Sequence, residues 1–209
     1  VTPNADSGGR YIAALYVEPG GAYCGLPGVD LWDETRDARR YPGSNPVVAH
    51  PPCARWCRLA GLVEARWGHK RGDDGGTFAA ALEAVERFGG VLEHPAYSDA
   101  WAAYGLPIPP LSGGWQGSLL RPGWAAYVEQ GRYGHRAKKA TWLYAVGVDL
   151  PDLEWGHIPD QDGWAAVSWC GNHVSGFWGN GCTRVGKQLA AATPPAFRDV
   201  LIRMARSVP

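Results

Sequence analysis

The sequence predicts an α/β fold: compact and Rossmann-like, with a mostly parallel sheet, an antiparallel C-terminal hairpin and a small Trp/Gly-rich lobe. Three observations predict it. Short apolar runs alternate with helical segments over residues 11–95, the order that builds parallel sheets. Two later apolar segments, 124–130 and 141–148, are separated by a basic turn and read as antiparallel partners. An amphipathic helix at 194–207 closes the chain, with Phe197, Val200, Leu201 and Met204 on one face.

Taken in order, residues 1–10 are polar and Gly-rich and are expected to be a disordered tail. Tyr11 to Val17 is a first strand, stopped by Glu18-Pro19-Gly20-Gly21. Residues 28–33 are a short second strand, and 35–41 form one or two helical turns. Residues 46–50 are the next strand, and 57–67 have helical apolar spacing. Residues 69–76 are a charged, Gly-rich loop. Residues 77–88 are the clearest helix: Thr77 is placed to cap it, alanines fill it and Gly89-Gly90 ends it. A buried strand then begins at Gly90. Residues 95–122 are loop-rich, with helical turns near 100–104. The domain expectation is therefore a catalytic α/β unit at 11–150, an irregular lobe at 151–186, and a C-terminal segment, 187–209, packing back on the sheet.

With 209 residues the chain suffices for one sizeable core. Lys plus Arg equals Asp plus Glu at 20 each, so no global field draws it to nucleic acid or membrane, although a local basic patch is compatible with this balance. The 11 Trp residues mostly serve packing, or stack a planar ligand. Five Cys residues without a Cys-x-x-Cys pair, no leader pattern and no spanning apolar run make a cytoplasmic chain with free thiols the expectation. Cys170, His173 and Cys182 lack a convincing fourth ligand, so no metal site is expected. The oligomeric state is open.

Three motifs carry chemistry. Val47-Val48-Ala49-His50-Pro51-Pro52-Cys53 ends an apolar strand in a rigid turn bearing a thiol. Leu92-Glu93-His94-Pro95 puts a carboxylate at the end of a second strand. Glu129-Gln130-Gly131-Arg132 follows a third, and Arg136, Lys138 and Lys139 lie just beyond. His50 and His94 flank the motifs, either in hydrogen-bonded structural roles or as proton shuttles.

In order and approximate separation, these motifs resemble those of the DNA cytosine-C5 methyltransferases, particularly small phage-like members. The resemblance covers roughly residues 46–148. It implies Cys53 as nucleophile, Pro52 shaping its loop, Glu93 as the acid at a ring nitrogen and Arg132 as a clamp on the O2 edge. Gln130 matches the Gln of the Gln-x-Arg-x-Arg motif, whose second Arg is replaced by Gly134. His94 stands where the family has Asn. Lys138 and Lys139 resemble a basic stretch that would meet DNA phosphates, and Arg55 would help to form the thiolate. The implied partner is DNA, with a pyrimidine flipped into the pocket. The implied donor is S-adenosylmethionine, although residues 18–33 are too short for the family's usual cofactor half, and the residues that would hold it are unassigned.

The chemistry explains the grouping. A pyrimidine C5 is a poor nucleophile until a thiolate adds at C6, and a carboxylic acid and a cation stabilise the charge that develops on the ring. Three rival readings stand beside this one, the last resting on the tryptophans rather than on Cys53. One is a catalytically silent nucleic-acid-binding relative without a cofactor. Another is a C6-addition enzyme with a different donor. The third is a Trp-lined binder of sugars or nucleotides.

Overall fold

Residues 10–57, 60–158 and 191–209 are described by the structure, a computed structural model. Ile12–Leu15 (β1) is wholly buried and pairs in parallel with Val29–Trp32 (β2) on one side and Val47–Ala49 (β3) on the other. Gly90–Pro95 (β4) extends the parallel block beside β3. Ala140–Val146 (β7) then runs antiparallel to β4, Trp124–Glu129 (β6) antiparallel to β7, and Trp115–Gly117 (β5) closes the edge. The order across the seven-stranded mixed sheet is β2-β1-β3-β4-β7-β6-β5. The expected α/β class and the antiparallel hairpin are both present.

Successive strand residues face opposite sides. Ala13, Leu15, Val47 and Leu92 pack against Phe78, Ala81 and Val85 of Thr77–Phe88 (α2). Ile12, Val48, Val91 and Leu143 pack against Phe197, Val200, Leu201 and Met204 of Pro195–Arg206 (α4). These α4 positions are the apolar face seen in the sequence. Ala60–Trp67 (α1) precedes α2 between β3 and β4, and Asp99–Ala103 (α3) follows β4.

Close strand approach at β4 needs glycine. Gly90 lies opposite Val47 with φ +131°, and a Cβ there would fall 2.0 Å from the Val47 carbonyl oxygen.

Several boundaries differ from the sequence reading. β4 runs through Glu93 and His94 to Pro95, because these polar residues pair with Leu143 and Trp142 of β7. Polarity had marked Glu93 as the strand's end. β5 was missed because three half-exposed or exposed residues show no period. The cap of α2 comes from Asp74 rather than Thr77. The Asp74 carboxylate accepts from Gly76 N, Phe78 N and Thr77 Oγ1 at 2.9 Å each, and from Trp56 Nε1 at 2.8 Å. It therefore ties the loop before α2 to the turn after β3. Most of the expected 151–186 lobe, with Cys170, His173 and Cys182, lies outside the described residues, as does nearly all of the expected tail at 1–10.

Asp74→Ala removes the cap and strands the Trp56 indole N–H. We expect a loss of roughly 2 kcal/mol, read as a lower urea midpoint at unchanged slope.

Candidate functional site

The strand directions bring four segments to one rim. β1, β3 and β4 point their carboxyl ends the same way. β6 is antiparallel to β7, itself antiparallel to β4, so β6 also ends there and β7 begins there. His50 lies two residues beyond Val48, and Glu93 two beyond Val91. Alternation therefore puts both on the α4 side of the sheet, with Thr141 two before Leu143.

At this rim the side chains form one hydrogen-bonded chain. The Tyr23 hydroxyl meets His50 Nε2 at 2.8 Å. His50 Nδ1 donates to Glu93 Oε2 at 2.9 Å. Gln130 Nε2 donates to Glu93 Oε1 and to Thr141 Oγ1, each at 2.9 Å. The Thr141 hydroxyl donates in turn to the Lys139 carbonyl at 3.0 Å. An ionised carboxylate only accepts, so it fixes which end of the Gln130 amide faces it. Gln130 Oε1 is left buried without a hydrogen-bond partner.

Burial alone would raise the Glu93 pKa. Burial is the largest single influence, but the His50 hydrogen bond and the neighbouring Lys139, His50 and His94 together outweigh it and hold the carboxyl at about 2. Burial drives His94 the other way, to about 4 against the opposing pull of Glu93, so it is neutral at pH 7. His94 lies on the opposite face, packed edge-on against Phe78 and stacked with Trp101. The Pro52 carbonyl faces the His94 ring outside hydrogen-bond geometry, which links the Glu-His-Pro step to the Pro-Pro-Cys turn.

That turn leaves β3 through buried Pro51 and exposed Pro52. Cys53 is half-buried, and its carbonyl accepts from Trp56 N at 2.9 Å and Cys57 N at 3.0 Å. The thiol thus sits at the head of a helical turn. Arg55 is half-buried in the same turn, and its carbonyl accepts from Gly72 N. Cys24, Cys53 and Cys57 are in no disulfide.

The remaining expected site residues gather elsewhere on the rim. Arg132 Nε and Nη2 reach the Gly156 and His157 carbonyls, each at 3.3 Å. Lys138 Nζ donates to the Ile158 carbonyl at 2.6 Å, and Lys139 Nζ to the Ala191 and Ala192 carbonyls at 3.0 and 2.7 Å. Buried Glu129 holds the same stretch: Oε1 accepts from Tyr127 Oη at 2.6 Å and His157 Nδ1 at 2.5 Å, and Oε2 from Ile158 N at 2.7 Å. The structure thus joins Glu93 directly to Gln130, and sets Arg132, Lys138 and Lys139 on the backbone carbonyls of residues 156–158 and 191–192.

No protein-family model matches the chain, and no curated protein or solved structure does either. The site is therefore read from its own geometry. Among the described residues, no group of three or more His, Cys, Asp or Glu could hold a metal ion, and no helix is long and apolar enough to cross a membrane. An open groove of about 410 Å³ beside α2 shares no residue with the rim, and its Glu86 already accepts from Arg121 and Tyr144.

The β1–β2 connection does not fit S-adenosylmethionine in the manner the resemblance implies. Residues 16–28 contain no helix whose N-terminal N–H groups face a ligand. Asp30 is taken by Trp32 and Arg36, and Asp33 Oδ1 by Thr35. Tyr23, only 3% exposed, fills the space over His50.

Sequence reasoning missed Tyr23 and Thr141. Tyr23 comes from a loop with no motif. His50 carried a usable signal: its even spacing from Val48 puts it on a buried face.

Because the Glu93 pKa falls on folding from 4.5 to about 2, its stabilising effect is complete above 4.5 and lost as pH falls through 2. Urea midpoints of wild type and Glu93→Gln should therefore differ most at neutral pH and converge as pH drops from about 5 toward 2. A gap independent of pH would contradict the ionised carboxylate.

Proposed function

We propose that this chain is a pyrimidine-C5-modifying enzyme acting on DNA cytosine through addition of the Cys53 thiolate to C6, akin to the DNA cytosine-C5 methyltransferases. The observation that carries this reading is the 2.9 Å hydrogen bond from Gln130 to Glu93. Residues of two motifs far apart in the chain meet on the rim to which the Pro-Pro-Cys turn also leads. The strand order supports the Rossmann-like reading. Neighbours of β1 change direction in sequence, β2 on one side and β3 on the other, and open α/β sheets bind ligands at such switch points.

The reaction uses few groups. The Cys53 thiolate forms a bond to C6, the ring electrons shift toward C5, and Glu93 supplies a proton to the ring nitrogen. C5 then takes a proton from water or bonds to an electrophile; water accepts the original C5 proton, the ring nitrogen returns its proton to Glu93, and Cys53 leaves as the thiolate. The base leaves the duplex stack first, at a cost of a few kcal/mol. S-adenosylmethionine is the methyl donor implied by the resemblance. Arg132 already holds the Gly156 and His157 carbonyls through Nε and Nη2 and would clamp the O2 edge with its other N–H groups; in the described arrangement Lys139 is the cation acting on Glu93. Arg136, Lys138 and Lys139 would meet phosphates.

One observation favours the rival reading of a catalytically silent DNA-binding relative: Glu93 is held as a carboxylate with both oxygens hydrogen-bonded. Incubation with DNA containing 5-fluorocytosine, with and without S-adenosylmethionine, separates the two. The enzyme reading expects a denaturant-resistant adduct on Cys53, absent in Cys53→Ser and formed about 100-fold more slowly in Glu93→Gln. Salt-sensitive DNA binding without any adduct would establish the silent relative. Calorimetric titration of S-adenosylmethionine tests the donor separately.

A further inference from the structure

The proposed reaction asks Glu93 for a proton, yet Glu93 accepts on both oxygens. Gln130, on Oε1, is an amide and has no acid proton to give. His50, on Oε2, is the titratable donor in direct contact. Its other nitrogen meets the Tyr23 hydroxyl at 2.8 Å. A hydroxyl both donates and accepts, so Tyr23 satisfies Nε2 whether it is bare or protonated. The ring can thus change charge without losing either hydrogen bond. Arg198 Nη1 donates to the Ala22 carbonyl at 2.8 Å and so anchors the backbone next to Tyr23 to α4. His50 and Glu93 keep side-chain exposures of 13% and 9%, so the pair borders the surface rather than lying sealed in the core.

We propose that His50 is the proton carrier for Glu93, resting on the pyrimidine-C5 reading: as Cys53 bonds to C6, the imidazolium Nδ1–H moves to Glu93 while Glu93 protonates the ring nitrogen. The N–H bond of His50 breaks, the O–H bond formed on Glu93 breaks again as the pyrimidine N–H bond forms, Glu93 ends as the carboxylate, and neutral imidazole remains with its Nε2 proton facing Tyr23. Expulsion of Cys53 runs the transfer backwards. His50 acts through Glu93 and is a positioning residue in this sense.

The charged and titratable groups around this pair come from several elements. Tyr23 and Glu93 contact His50 directly. Lys139 and His94 act on Glu93, while Arg198 and Asp199 of α4 act on Tyr23. Burial, reinforced by Glu93, raises the Tyr23 pKa, so the phenol stays protonated and remains a hydrogen-bond partner rather than an anion.

The test is exchange of the cytosine C5 hydrogen in D₂O, using a random-sequence duplex DNA pool, followed against pH. Wild type should exchange most rapidly where His50 is charged and lose rate on the alkaline side. His50→Gln, which preserves a hydrogen bond to Glu93, should exchange about 100-fold more slowly at neutral pH and lack that alkaline limb. Tyr23→Phe removes the acceptor of the imidazolium Nε2–H and should move the limb to lower pH. Nitrogen NMR of histidine-labelled wild type should show the neutral ring with its proton on Nδ1, facing the Glu93 carboxylate, and this tautomer preference should weaken in Glu93→Gln. A His50→Gln profile that matches wild type overturns the proton-carrier role and leaves the function standing. Wild type that neither exchanges nor forms the 5-fluorocytosine adduct overturns both.

Discussion

A carboxylate buried between strands must have its lone pairs satisfied, or the strand carrying it does not pack. Glu93 sets that demand here. It is 7% exposed, it lies within β4, and its cross-strand partner in β7 is Leu143. His50 at the end of β3 meets one oxygen, and Gln130 beyond β6 meets the other. Three strand ends are thereby held in register by one acid. The Thr141 hydroxyl extends the same constraint into β7.

The rim divides into two groups with different work. Around Glu93 the groups are buried, titratable and interlocked. Around Glu129 the Tyr127 and His157 side chains meet one oxygen, and the other contacts fall on backbone: Ile158 N, and the carbonyls taken by Arg132, Lys138 and Lys139. Basic residues that a sequence suggests for phosphates thus also hold the chain's own carbonyls. A lysine ammonium has three donors and can serve both.

Much of this was legible because burial and period are written locally. The alternation in β6 and β7 and the face of α4 needed only their own residues. Cys53, Glu93 and Gln130 stood out because each ends or follows an apolar run. What was not legible depends on partners distant in the chain. Glu93 and His94 read as the start of a loop, and only the pairing with Leu143 and Trp142 makes them strand. Tyr23 has no motif, and its place follows from how the β1–β2 connection folds back on β3. Arg132 fitted a motif by spacing, but its guanidinium is directed by Gly156 and His157, whose approach no local pattern encodes.

The adjacent Lys138 and Lys139 have a topological consequence. One grips the Ile158 carbonyl and the other the Ala191 and Ala192 carbonyls, so the chain departs and returns beside a single dipeptide. Two stretches far apart in the chain are thereby tied to one short turn between β6 and β7. The turn is a clasp in this sense: the side chains of two neighbouring residues hold both stretches against the same end of the sheet.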